Sequence, residues 1–173
     1  MTTNQQWIML SEPKSEHRNA MYYVAIAKTV HMYDIPDVLP PLIPEVKQWM
    51  QERGIKASGV DFFLYKSMNE EGMLECEAGF PVSQAVEGEG TVIAGVFPEG
   101  NYASIVYTGD FKDMMQGHVA LEKWIAEQGL TEVKQVGNEK TQWGGRTEFY
   151  LVDPELEPDP EKWQTEIVFK LAD

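Results

Sequence analysis

Two distant stretches of this 173-residue chain carry one pattern. Val46-Lys47-Gln48-Trp49-Met50-Gln51-Glu52-Arg53-Gly54-Ile55 is answered by Leu121-Glu122-Lys123-Trp124-Ile125-Ala126-Glu127-Gln128-Gly129-Leu130. Tryptophan, glycine and the following aliphatic residue keep their spacing. Each stretch has the apolar period of a helix and a glycine where a helix stops. Each is followed by two strand candidates rich in aromatic residues. Such a chain is expected to form one domain, residues 1–173, of two related halves, about 20–83 and 91–172, joined by the polar Ser83–Gly90 link. A half alone is near the size at which a single core is marginal, so two β-α-β-β units sharing a sheet are expected. The predicted class is α+β: a pseudo-two-fold tandem of such units with antiparallel strands.

The elements follow from local pattern. Trp7–Leu10 is a short apolar strand candidate, and the polar run to Ala20 reads as a connection. Met21–Val30 is dense in β-branched and aromatic residues, as a strand is. After Pro36, Pro40, Pro41 and Pro44, helical spacing places Leu42, Val46, Trp49, Met50 and Arg53 on one stripe, ending at about Arg53. Phe62–Met68 and Met73–Val82 flank Asn69-Glu70-Glu71-Gly72 as a hairpin. In its second strand Leu74, Cys76, Ala78, Phe80 and Val82 share a face, leaving Glu75 and Glu77 on the other. Thr91–Phe97 and Tyr102–Thr108 open the second half. Asp110 is placed to cap a long helix whose stripe is Phe111, Met114, His118, Leu121 and Ile125. A charge-mixed connection then leads to strands Arg146–Val152 and Gln164–Leu171, separated by an acidic, proline-rich loop.

Charge and missing motifs narrow the function. With 14 Lys+Arg against 28 Asp+Glu the net charge is −14, which disfavours nucleic acid and anionic membranes as partners. There is no basic leader and no apolar run of roughly 20 residues, so a cytoplasmic protein is expected. Cys76 is the only cysteine, which rules out an intrachain disulfide. No nucleophile elbow, P-loop, dinucleotide fingerprint or zinc-protease motif is present, and no cofactor is expected. His17, His31 and His118 lack metal-ligand spacing, so no metal is expected either. His118, on its apolar stripe, reads as a core or core-edge histidine, and Cys76 as a buried structural thiol.

One strand is more pointed. In Trp143–Pro154, Glu148, Tyr150 and Val152 share a face while Thr147, Phe149 and Leu151 share the other. A carboxylate among apolar neighbours must be solvated, paired or functional, because burying it unpaired is expensive. The pattern alone leaves a wet-face glutamate and a functional acid both open.

Several segments taken in order narrow that choice: Glu77–Val82, Phe97–Ala103, Tyr107–Phe111, Leu121–Ile125, Thr147–Pro154 and Thr165–Leu171. From about Tyr22 to Leu171 they resemble the GyrI-like small-molecule-binding domain, the effector-binding domain of AraC- and MerR-type multidrug regulators. The resemblance implies a ligand groove between the halves, lined by aromatic rings around an acid that attracts hydrophobic or cationic ligands. It places that acid at Glu148, with Tyr150 two residues on. By the internal repeat Phe63 and Tyr65 are their first-half equivalents, and Trp143 and Phe80 are further aromatic candidates. About 20 residues precede the first long strand, too few for a DNA-reading domain, so direct transcription-factor action is not expected. Phe111 stands where many members carry tyrosine.

Small-molecule capture is therefore the leading expectation. The family also offers hydrolysis of cyclopropane-containing toxins. There Glu148 would be a general base with its pKa raised by an apolar groove, helped by Tyr65 or Tyr150. A third option is a protein partner such as gyrase or a regulator. The oligomeric state stays open.

Overall fold

A computed structural model describes residues 9–173. The elements are β1 (Met9–Leu10), β2 (Lys14–Arg18), β3 (Met21–His31), α1 (Ile35–Val38), α2 (Leu42–Glu52), β4 (Phe62–Asn69) and β5 (Met73–Val82). The second half adds β6 (Val92–Phe97), β7 (Gly100–Thr108), α3 (Met115–Glu127), β8 (Lys134–Val136), β9 (Lys140–Tyr150) and β10 (Gln164–Lys170). All pairings are antiparallel, in the order β1-β7-β10-β9-β4-β5-β3-β6. β2 extends the β1 edge along β7, and β8 flanks the start of β9.

The repeat becomes symmetry about the central β4–β9 pair. Outward from it each half contributes its hairpin mate, β5 or β10, and then its first strand, β3 or β7. The outermost strands are exchanged: β6, which leads into β7, pairs with β3, while β2, which leads into β3, pairs with β7. The connections are only Asn19-Ala20 and Pro98-Glu99. At about 3.8 Å per residue such links cannot cross a flat sheet, so the sheet must bend round until its two edges approach. Ring contacts show the same curl. Phe97 on edge strand β6 lies 5.7 Å from Phe149 on β9, and Tyr23, Phe62 and Phe97 meet at 4.7–5.1 Å within the bend. A side chain at Gly95 would strike the Tyr23 ring, so glycine is what lets that ring lie there.

The other face carries the helices. Leu42, Val46 and Met50 of α2 pack with Val24, Ile26, Leu74 and Cys76, whereas Leu121 and Ile125 of α3 pack with Ile105, Tyr107 and Ile167. The repeated glycines Gly54 and Gly129 end these helices at φ 69° and 71°, the left-handed region that glycine enters freely.

Local expectations need three corrections. Asp110 caps a 3-10 turn, its Oδ1 accepting from Lys112 N, and α3 starts only at Met115. The polar run before Ala20 contains β2, an edge strand whose charges replace apolar alternation: Arg18 pairs with Glu16 and Glu166. The charge-mixed connection contains β8 and the first part of β9, which starts at Lys140 rather than Arg146. Of Trp7–Leu10, Met9 and Leu10 pair with β7, while Trp7 and Ile8 lie outside the described residues. Among the described residues no helix is long and apolar enough to cross a membrane.

Candidate functional site

Antiparallel pairing sets Phe63 of β4 directly opposite Glu148 of β9. Tyr65 stands two residues past Phe63 on one strand and Tyr150 two past Glu148 on the other. The pseudo-two-fold axis therefore passes through the Phe63–Glu148 pair, and the two tyrosines are each other's mates. Alternation puts all four on the helix-bearing face. There α2 packs on β3 and β5 and α3 on β7 and β10, so the central strands lie between the helices.

One carboxylate lies on the axis, and three donors converge on it. Glu148 Oε1 accepts from Tyr150 Oη at 2.6 Å and from Tyr65 Oη at 3.1 Å. Oε2 accepts from His118 Nε2, reached from α3, at 2.7 Å. The residue is only 7% exposed, so these donors take the place of water. From here a line of rings runs outward. Phe63 and Tyr150 are 5.0 Å apart, Tyr150 and Phe111 5.6 Å, and Phe111 and Trp163 4.6 Å. Phe111 is 36% exposed, so the line reaches the surface. Trp163 Nε1 donates to the Glu157 carbonyl, tying the acidic loop to its outer end.

The structure thus brings together Glu148, Tyr65, Tyr150 and Phe63, and adds His118, Phe111 and Trp163. His118 sits at the core edge, yet its role as a donor to Glu148 is invisible in the sequence. Helical spacing says which way a residue faces on its own helix, not that α3 lies beside β9. The other two candidates have different neighbours. Phe80 packs half-buried against the core between α2 and the sheet. Trp143 lies under the Arg146 guanidinium, 4.8 Å from its ring centre, and that same guanidinium sits 4.2 Å from the Phe169 ring.

The electrostatics reverse one expectation. Burial pushes the Glu148 carboxyl upward, but the hydrogen bond and charge of His118, with the two tyrosine hydroxyls, outweigh it and leave the pKa below the ordinary carboxylate value. The raised value expected of an apolar groove is not found, because three donors surround the carboxylate. Burial and the adjacent carboxylate hold both tyrosines well above their usual range. Burial also pushes the Cys76 thiol up to about 12, which keeps it an inert core group.

A carboxylate whose folded pKa is depressed stabilises the fold above its unfolded value and loses that contribution as pH falls through the folded one. The stability difference between wild type and Glu148→Gln in urea unfolding should therefore still be present at pH 5 and shrink as pH falls below about 4. A gap that closes already above pH 5 would mean the acid is not held ionised.

This antiparallel α+β pairing of β-α-β-β units is the fold of regulator effector-binding domains. The profile of the GyrI-like small molecule binding domain matches residues 11–172, and the chain belongs to that family. Among solved structures, the EcmrR C-terminal domain matches with TM-score 0.67 at 15% identity, over 94% of this chain and 98% of that one. In the EcmrR–DNA complex the values are 0.71 and 16%, over 99% of this chain and 60% of that one, so the chain spans less than two thirds of that regulator. A hydrolase from Listeria innocua matches at 0.60 and 14%, over 93% and 92% of the two chains. SAV2435 bound to tetraphenylphosphonium matches at 0.59 and 12%, over 94% of each. No curated protein sequence matches this one.

Proposed function

We propose that this protein captures lipophilic organic cations at the Glu148 cluster. The observation that carries the reading is a single buried carboxylate on the pseudo-dyad, joined to the surface by the rings of Tyr150, Phe111 and Trp163. Aromatic faces attract cations, and a carboxylate shielded from water attracts them from further away. A cation resting on these rings meets the field of Glu148 without having to displace its three donors. Those donors favour the ionised form of the acid, which supplies the counter-charge. The same depression makes Glu148 a weak base, which favours binding over general-base hydrolysis. A lipophilic cation held by a protein of the same fold supports the ligand class.

Calorimetric titration with tetraphenylphosphonium and with the neutral triphenylphosphine oxide tests this reading. The cation should bind at least tenfold more tightly, about 1.4 kcal/mol. Equal affinities, or no binding of the cation, would remove the counter-charge from the account.

A further inference from the structure

A second acid is buried on the opposite face of the sheet. Glu77 of β5 pairs with Leu64 of β4, one position out of step with Glu148, and is 4% exposed. Its Oε1 accepts from Tyr23 Oη at 2.5 Å and its Oε2 from Lys66 Nζ at 2.9 Å. Lys66 occupies the register break of β4, where Tyr65 and Ser67 face adjacent residues of β5, Cys76 and Glu75, but positions four apart on β9, Arg146 and Gln142. That break opens an uncovered cavity of about 420 Å³, lined among others by Thr29, Lys66, Glu75, Glu77, Gln142 and Trp143.

Opposite charges stand at its wall with bonding capacity left over. The Lys66 ammonium makes one hydrogen bond, to Glu77, and its side chain is 54% exposed. An ammonium has three donors, so two remain for a ligand. Glu75 receives both its donors on Oε1, from Ser67 Oγ and from Lys140 Nζ at 3.0 Å, which leaves Oε2 without a protein partner among the described residues. Each charge is oriented by hydrogen bonds, Lys66 by Glu77 and Glu75 by Ser67 and Lys140. A ligand with a single charge would satisfy one anchor and meet the like charge of the other. A ligand carrying both charges satisfies the two together.

We propose that this cavity is a second ligand site, for a small zwitterion of the α-amino-acid type, with its carboxylate on Lys66 and its ammonium on Glu75. Thr29 and Gln142 supply further polar contacts, and Trp143 gives the side chain an apolar wall. The site uses none of the side chains that hydrogen-bond Glu148, although Cys76 and Trp143 in its wall also pack in the core that holds Phe63 and Tyr65.

Calorimetry with each of the twenty L-amino acids at roughly millimolar concentration finds the best ligand. That ligand is then compared with its amide, which lacks the carboxylate, and its N-acetyl derivative, which lacks the ammonium. Each should bind at least tenfold more weakly. Glu75→Gln, a change at a half-exposed residue, should weaken the amino acid about fivefold and leave the N-acetyl derivative unchanged. Thr29→Trp, which fills the cavity from an exposed position, should abolish binding with the melting temperature kept. No binding by any amino acid, equal binding of the amino acid and its two derivatives, or an unaltered affinity in Thr29→Trp would each overturn the proposal.

Discussion

Glu148→Gln should weaken tetraphenylphosphonium binding at least tenfold while the fold persists. The amide keeps the shape of the carboxylate and one oxygen acceptor for the Tyr65 and Tyr150 hydroxyls, which can rotate to suit. At the other position an NH₂ group now faces His118 Nε2, which the neutral ring can meet with the tautomer that accepts there. The packing cost is therefore small, and what disappears is the negative charge. Truncation to alanine would be a poorer test, because it strands buried donors at roughly 1–3 kcal/mol each and mixes instability with lost affinity. If the glutamine variant binds the cation as wild type does, the cation does not answer to this acid.

Arg146→Met should be the most damaging single change for stability. Arg146 donates twice to Glu132 at 2.8 Å and once to Glu122 at 2.7 Å. The Glu132 side chain is only 5% exposed, so the methionine variant leaves a buried charge without its partner. Losses of about 3–5 kcal/mol follow from breaking such a pair, or roughly 6–20 °C in melting temperature for a domain of this size. The guanidinium is also the layer between the Trp143 and Phe169 rings, which methionine can still fill. Adding Glu132→Gln should recover much of the loss, as read by urea unfolding. A single variant as stable as wild type would mean that Glu132 finds water when Arg146 is gone.

What the sequence made legible and what it hid divide along physical lines. Features set by local chemistry were readable: the two glycine-stopped helices, the Asn69–Gly72 hairpin, and the shared face of Glu148 and Tyr150. Pairing between remote segments was not. Nothing in Lys14–Arg18 marks it as a strand, since an edge on β7 asks for charge and not for apolar alternation. The partners of β6 could not be read either, because its short link to β7 suggests a neighbour it does not pair with. The same limit applies to the site. Alternation placed Tyr150 on the face of the acid, and the resemblance with the internal repeat added Tyr65, but the third donor arrives on a helix whose docking is a tertiary fact. The sign of the Glu148 shift depends on that donor. Glu77 was assigned to the far face correctly, yet its burial follows from the bend of the sheet, which no periodicity encodes.

The exchange of β2 and β6 has a consequence for how the protein comes apart. Each half lends its outermost strand to the other, in the manner of a swapped dimer fused into one chain. Prising the halves apart at β4–β9 is therefore not a hinge motion, because both borrowed strands would have to leave as well. Unfolding should then be a single cooperative event. Cutting the Ser83–Gly90 link should yield fragments that fold only in each other's company.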